Sequence, residues 1–103
     1  MEQTSHPTFQ LEYTDAKGNT KVYPLKDGEN TIGRLDTCDV FVEEKSVSRV
    51  HAVITIAEGR VTIRDLESKN HTFVAGARIR SEVELKPGNA LMFGLLRLRF
   101  SAK

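Results

Sequence analysis

The sequence predicts an all-β fold, an antiparallel β-sandwich of about eleven short strands. Short runs in which apolar and polar residues alternate recur along the chain, and this alternation is the period of a half-buried strand. Glycine, proline and asparagine separate the runs at regular intervals, as the turns of a sandwich require. The chain shows almost no helical pattern.

The first half of the chain contains four predicted strands. Residues 9–13 and 22–25 are expected to form a hairpin, since residues 15–19 between them have turn chemistry. Residues 29–33 form a short strand that breaks at glycine, and residues 39–42 form another strand before a polar loop.

The second half begins with the clearest strand pattern, residues 51–57, which are rich in β-branched apolar side chains. The turn Glu58-Gly59 joins this run to residues 61–65, so the two runs are predicted to pair as a hairpin. The remaining strands are expected at residues 72–74, 77–79, 83–85, 90–93 and 95–100.

Length and composition describe one folded domain. The 103 residues are 39% hydrophobic and 28% charged, which is ordinary for a globular protein. Residues 1–7 are polar and end at Pro7, so we expect a flexible lead-in there and a domain over residues 8–103. A net charge of +1 argues against a domain-wide surface for nucleic acid or for an acidic membrane.

The chain has the features of an intracellular protein. Its only cysteine, Cys38, has no partner for an internal disulfide, so a reducing compartment is expected. The first five residues lack the basic start and the apolar stretch of a signal peptide, and no apolar run approaches the ~18 residues of a membrane span. The histidines and the cysteine lack the spacing of metal ligands, and neither a metal nor another cofactor is predicted.

Three short motifs fall at the ends of predicted strands, where polar side chains do not help to build a core. They are Gly33-Arg34, Ser48-Arg49-Val50-His51 and Asn70-His71-Thr72, the last preceded by Lys69. Loops cluster at the ends of a sandwich, so the three motifs can share one end. Two arginines, a lysine, a hydroxyl and a carboxamide presented from separate loops favour the capture of one anion, a phosphate.

In their order along the chain, the motifs resemble those of forkhead-associated (FHA) domains. The corresponding segments are Ile32–Arg34, Ser48–His51, Ser68–Val74 and Leu85–Gly94, and the similarity extends from about Tyr23 to Phe100. Any one motif occurs by chance, but four in order on an all-β pattern are specific. The resemblance implies an eleven-stranded sandwich of the FHA/SMAD-like type, which binds phosphothreonine peptides through loops at one end and prefers them over phosphoserine peptides.

The resemblance also implies roles for five residues. Arg34 is expected to be the main phosphate ligand, because its planar guanidinium matches phosphate oxygens. Ser48 is expected to donate its hydroxyl to the phosphate, and Asn70 to hold the peptide backbone, which needs both a donor and an acceptor. Arg49 and Lys69 occupy positions that often add a phosphate or peptide contact, and a solvated surface charge is the alternative for each.

Three residues are expected to support the loops. Gly33 permits a tight turn or a close approach of two backbones. By resemblance His51 braces the loop that carries Ser48, and Thr72 is counted as structural support with them. A small hydrolase that uses Ser48 and His51 is an alternative, but side chains three apart at the start of a strand face differently and no third partner is indicated, so we predict that the protein is not an enzyme.

Two positions depart from the family pattern. His71 stands where glycine usually follows the asparagine, and a positive φ there would cost a histidine on the order of 1 kcal/mol. Asn89 replaces the usual aspartate after the late glycine, a change that a turn accepts.

The predicted function is recognition of phosphothreonine peptides in phosphorylation-dependent protein–protein interaction. The family suggests a nuclear setting such as the DNA damage response. The alternative is a dimerisation or scaffolding module with weak or absent phosphopeptide binding, in which phosphorylated Thr4 or Thr8 of one copy enters the pocket of a second copy. No direct contact with nucleic acid or with a membrane is expected.

Overall fold

The computed structural model describes residues 8–103, and it shows two β-sheets that enclose one hydrophobic core. The predicted lead-in, residues 1–7, lies outside this range. The described range contains eleven strands and no helix. The strands are β1 (Phe9–Thr14), β2 (Thr20–Pro24), β3 (Gly28–Gly33), β4 (Val40–Phe41), β5 (Ala52–Ala57), β6 (Arg60–Asp65), β7 (Thr72–Val74), β8 (Ala77–Arg78), β9 (Val83–Glu84), β10 (Ala90–Phe93) and β11 (Leu96–Ala102).

The strands divide between the sheets as a sandwich requires. One sheet has six strands in the order β2-β1-β11-β10-β7-β8, and the other has five in the order β4-β3-β5-β6-β9. Both predicted hairpins are present, since β1 pairs with β2 and β5 pairs with β6 in antiparallel register. The prediction of an all-β sandwich of about eleven strands is confirmed.

The pairing of β3 with β4 is parallel, and the sequence pattern did not indicate it. It is short, with Ile32 opposite Val40 and Gly33 opposite Phe41. The carboxylate of Asp39, just before β4, accepts hydrogen bonds from the amide (2.9 Å) and the hydroxyl (3.1 Å) of Thr31 in β3. A hydrogen bond from Lys26, reinforced by the Thr31 amide, lowers the pKa of Asp39 to about 2. The charged carboxylate thus ties β4 beside β3.

The core lies between the two sheets and draws on both. Six of its large side chains are 0% exposed, and burial of each stabilises the fold by about 1.5–3 kcal/mol. These are Leu11, Ile32, Ile54, Ile63, Phe93 and Phe100. Phe9, the first residue of β1, stacks on Phe100, which lies near the end of β11, with ring centroids 5.4 Å apart. This stack extends the core to the start of β1 and the end of β11.

The strand register brings several strand ends to one end of the sandwich. Ile32 near the end of β3 lies opposite Ala52 at the start of β5, and Ala52 also lies opposite Asp65 at the end of β6. In the six-stranded sheet, Thr72 at the start of β7 lies opposite Phe93 at the end of β10. The loops that carry the three motifs therefore leave from neighbouring strand ends.

Candidate functional site

A cleft of about 620 Å³ opens between the loops that follow β3, precede β5 and join β6 to β7. All five residues that were expected to touch a ligand line this cleft. They are Arg34, Ser48, Arg49, Lys69 and Asn70. The structure therefore brings together residues that the sequence places up to three strands apart.

Six further residues line the cleft, and sequence reasoning missed them as site residues. They are Leu35, Lys45, Ser46, Val47, Val50 and Glu67. Lys45 adds a fourth cation, and Glu67 is the only carboxylate among the lining residues. Within residues 8–103, no salt bridge involves any of the four cations. The cleft is therefore positive on balance, as an anion site requires.

Arg34 stands at the end of β3 with its guanidinium held from one side. Its Nε donates a hydrogen bond to the carbonyl of Val47, which belongs to the loop that precedes β5. The two Nη groups make no hydrogen bond to the rest of residues 8–103, and the side chain is exposed. A guanidinium fixed through Nε presents the Nη groups as a pair of donors that fits two phosphate oxygens.

Ser48 links two of the loops through both its backbone and its hydroxyl. The backbone carbonyl accepts from the Arg34 amide at 3.1 Å, and Oγ accepts from the Lys69 amide at 3.0 Å. Because Oγ acts as an acceptor in this contact, its own hydrogen is available for donation into the cleft. This geometry suits the expected hydroxyl-to-phosphate bond.

Asn70 is exposed on the loop between β6 and β7. One hydrogen of its Nδ2 is used in a 2.8 Å hydrogen bond to the carbonyl of Ser46. The second Nδ2 hydrogen and the Oδ1 acceptor remain, so the side chain keeps the donor and the acceptor that a peptide backbone needs. Lys69 and Arg49 are exposed beside it on the lining of the cleft.

His51 is 0% exposed and lies directly beneath the cleft loops. Its Nδ1 accepts from the Ser48 amide at 3.0 Å, which assigns the hydrogen to Nε2, and Nε2 lies 2.8 Å from the carbonyl of His71. Burial lowers the pKa of His51 below its ordinary value, against the opposing effects of the His71 carbonyl and Asp65. The ring thus joins two loops in its neutral form.

The same contacts exclude His51 as a base for the Ser48 hydroxyl. Nδ1 is occupied by the Ser48 backbone amide, and Nε2 points to a carbonyl on the other loop. A serine hydrolase requires the histidine to receive the hydroxyl proton. The expected bracing role is the one that this geometry supports.

Thr72 supports the site through Asp65, a residue that sequence reasoning missed. The Thr72 hydroxyl donates to Asp65 at 2.7 Å, and the amide and hydroxyl of Ser68 donate to the same carboxylate. Burial raises the pKa of Asp65, but these hydrogen bonds outweigh it and hold the pKa below its ordinary value. An aspartate at a strand end, three residues before a serine, is a turn signal that would have found this residue.

Gly33 is required by a close approach of two loops. A Cβ built on Gly33 would lie 2.0 Å from the carbonyl oxygen of Arg49, closer than real atoms come. The same two loops are joined by backbone hydrogen bonds from Arg34 to Ser48 and from Leu35 to Arg49. Two roles were expected for Gly33, a tight turn or a close approach of two backbones. The structure shows the close approach.

Ser46 connects the cleft to the turn between β10 and β11. Its Oγ accepts from the Leu95 amide at 2.8 Å and donates to a carboxylate oxygen of Glu44 at 3.0 Å. Gly94 has φ 60°, and a Cβ there would lie 2.4 Å from the Ser46 carbonyl. No local pattern reveals Ser46, because its partners Asn70 and Leu95 are 24 and 49 residues away.

His71, the departure from the family pattern, has φ 69°. The position thus uses the left-handed conformation that glycine adopts without strain. Its carbonyl accepts from His51 at 2.8 Å and from the Gly94 amide at 3.2 Å. The side chain is not among those that line the cleft.

Of the two threonines expected as self-ligands, Thr8 is within the described residues. Thr4 lies outside the described residues. Thr8 is exposed beside the end of β11, and its carbonyl accepts from the amide of Lys103. The cleft lies at the other end of β11, which at about 3.3 Å per residue is some 20 Å away.

Residues 8–103 contain no group of three metal-ligating side chains. Over the same range, no helix has the length and the hydropathy that crossing a membrane demands.

A β-sandwich that presents a cationic cleft from the loops at one end has the form of a recognition module. A family model described as FHA domain matches residues 30–94, more than half of the chain. The chain belongs to the forkhead-associated domain family, whose members are recognition modules, and the resemblance seen in the sequence is confirmed.

Similar proteins come from distant organisms. Nibrin of Danio rerio is 34% identical over 95 residues, which are 90% of this chain and 11% of Nibrin. A solved FHA domain, studied for phosphothreonine-dependent interactions, superposes with a TM-score of 0.82 at 29% identity and covers 91% of this chain and 95% of its own. EmbR of Mycobacterium tuberculosis, solved with a low-affinity phosphopeptide, gives 0.81 at 34% identity over 91% of this chain and 24% of EmbR. This chain thus spans a small part of Nibrin and of EmbR.

Proposed function

We propose that residues 8–103 form one phosphopeptide-binding unit that recognises phosphothreonine. The observation that carries the proposal is the single cleft that Arg34, Ser48, Arg49, Lys69 and Asn70 share. A phosphothreonine brings a charge of about −1.5 to −2 and three strong acceptor oxygens. The cleft offers cations, a hydroxyl donor and a carboxamide in complementary positions.

Each residue has a role in this proposal that follows from its contacts. Arg34 binds two phosphate oxygens through the Nη groups that its Nε contact leaves available. Ser48 donates its hydroxyl hydrogen, and Asn70 binds the peptide backbone next to the phosphothreonine. Arg49 and Lys69 add charge at the rim, while Gly33, His51 and Thr72 hold the loops.

The setting that we propose is phosphorylation-dependent signalling. Nuclear signalling such as the DNA damage response is the finer expectation from the family. The similar proteins include one from Danio rerio and one from Mycobacterium tuberculosis, an animal and a bacterium. This range supports a shared recognition chemistry and does not favour one cellular compartment.

Replacement of Arg34 tests the proposal. Wild type and Arg34→Ala are titrated with a degenerate phosphothreonine peptide library, and unphosphorylated and phosphoserine libraries serve for comparison. The loss of two charge-assisted hydrogen bonds, each worth about 1.5–3 kcal/mol, should weaken binding about 100-fold or more. Arg34→Lys should recover only part of the loss, because lysine keeps the charge without the fork.

Arg64→Ala is the matched control. Arg64 is an exposed arginine on β6 that does not line the cleft, so its removal should leave the affinity unchanged. Equal binding by wild type and Arg34→Ala would refute the phosphate role of Arg34.

Pairing of two copies through Thr8 is a second candidate. Thr8 is exposed and lies at the end of the sandwich opposite the cleft, so the fold prevents a phosphorylated Thr8 from entering its own cleft. A phosphorylated Thr8 would instead meet the cleft of another copy, in a head-to-tail pair. Such a pair uses the same cleft chemistry with a different partner.

A further inference from the structure

A groove on the outer face of the six-stranded sheet continues from the cleft. A first cavity, of about 370 Å³, is lined by Ser46 and Asn70 from the cleft and by Phe73, Met92 and Leu95 from the sheet and its turn. A second cavity, of about 360 Å³, shares Phe73 and Met92 with the first and reaches Gly76, Ala90 and Arg97. The shared lining residues make one continuous track, called here the outer groove.

Strand register explains why the floor of the outer groove is apolar. Phe73 of β7 lies directly opposite Met92 of β10, and residues opposite each other share a face of the sheet. Their neighbours Thr72, Leu91 and Phe93 point into the core, so Phe73 and Met92 point outward and are only half-buried. Leu95, in the next turn, is 76% exposed.

Arginines stand on both sides of this apolar floor. Arg78 of β8 lies opposite Phe73, and Arg97 of β11 lies opposite Met92, which gives one row across four strands. Both arginines are exposed. No carboxylate within residues 8–103 forms a salt bridge with either of them. An apolar strip between arginines that lack a carboxylate partner is complementary to a segment with apolar and acidic side chains.

We propose that the outer groove binds a second segment of the same phosphorylated partner, one that joins an apolar side chain to an acidic one. The proposal rests on phosphothreonine recognition in the cleft, since Asn70 and Ser46 belong to both sites. The apolar side chain covers Phe73 and Met92, and the carboxylate binds Arg97.

The length of the groove sets the length of peptide that reaches it. The far end at Ala90 lies across from the turn after β7, about five residues along the sheet from Asn70. At about 3.3 Å per residue this is some 17 Å, so a bound chain must continue for about five residues beyond the phosphothreonine to fill the groove. Peptides that end sooner occupy the cleft alone.

Matched peptide libraries test the proposal. One phosphothreonine library ends three residues on either side of the phosphate, and two others add eight residues of mixed apolar and acidic composition before or after it. One of the extended libraries should bind wild type about tenfold more tightly than the short one, as expected for one buried apolar side chain. Met92→Ala and Arg97→Glu should each remove this gain and leave binding of the short library unchanged.

Two controls make the result specific to the outer groove. Arg80→Glu changes an exposed arginine that lines neither cavity and should keep the gain. Extended peptides with lysine in place of their acidic residues should bind Arg97→Glu better than wild type.

The outcomes separate the groove from the cleft. Equal affinity of wild type for short and extended libraries, or a gain that persists in both groove variants, overturns the proposal. Self-association that Met92→Ala or Arg97→Glu abolishes would assign the groove to a second copy and also overturn it. If the short library fails to bind wild type, the cleft proposal fails, and the groove proposal that rests on it fails too. If the short library binds through Arg34 and extension brings no gain, only the groove proposal fails.

Discussion

His51 holds two loops together through opposite sides of one ring. Nδ1 accepts from Ser48, and Nε2 donates to His71. A proton added to Nδ1 would face the Ser48 amide donor, so the charged ring cannot keep this contact. Burial also lowers the pKa of His51, so the folded protein favours the neutral ring for this second reason.

We predict that stability falls as the solution is acidified from about pH 7 to pH 5. The pKa of His51 is lowered from 6.5, so its contribution is complete above that pH and is lost as the pH falls through the folded value. Thermal unfolding of wild type and His51→Gln over this range measures the effect. At neutral pH the variant should be less stable by about 2 kcal/mol, for two lost hydrogen bonds, and its midpoint should depend less on pH.

His71→Asn is the matched control for this measurement. Asparagine tolerates a positive φ, and the substitution keeps the backbone carbonyl that His51 contacts. The control should therefore retain the pH dependence. A dependence that disappears in this control and persists in His51→Gln would contradict the assignment.

At the scale of the elements, the strands could be predicted from the sequence more completely than the contacts between loops. Alternation located the strands, and the residue types at their ends located Arg34, Ser48 and Asn70. Ser46 could not be found, because its role depends on contacts with distant loops. The parallel pairing of β4 also escaped the pattern, since the Asp39 side chain and not alternation fixes it.

Ser46 offers a test of how the loops support one another. We predict that Ser46→Ala, which removes the acceptor of the Leu95 amide, costs about 1 kcal/mol of unfolding free energy. Phosphopeptide affinity should fall by less than about tenfold, because the contact of Asn70 with the Ser46 backbone is retained. Urea unfolding and peptide titration measure these changes, and amide exchange at Leu95 should become faster.

Ser81→Ala is the control, since Ser81 is exposed and does not line the cleft. Unchanged exchange at Leu95 in the Ser46 variant would show that the hydrogen bond does not hold the turn.

Across the whole molecule, the two sheets meet at the cleft. The five-stranded sheet supplies Arg34 and Ser48 from its strand ends, and β7 of the six-stranded sheet follows the loop with Asn70. The ring of His51 spans the gap by contacting His71, which precedes β7. The geometry of the cleft therefore depends on how the sheets pack, and no single loop motif encodes that arrangement.

The position of Thr8 gives a prediction at this scale. If copies pair through phosphorylated Thr8, protein carrying phosphate at Thr8 should sediment as a dimer, and unmodified protein as a monomer. Arg34→Ala should abolish the dimer, because the phosphate would enter the cleft of the partner copy. Sedimentation velocity measures the mass of wild type and of Arg34→Ala, each with and without phosphate at Thr8. A monomer in both phosphorylation states would exclude this pairing.

The two ends of the domain lie next to each other. Phe9 pairs with Ala102, and the Lys103 amide donates a hydrogen bond to the Thr8 carbonyl. A domain with adjacent termini can be inserted in a longer polypeptide with little disturbance to either side. Thr8 and Lys103 lie at the end of β11 that is remote from the cleft, so a host chain would join the domain away from the cleft lining. This geometry is compatible with insertion of the domain into different host chains, because the joining points leave the cleft open to solvent.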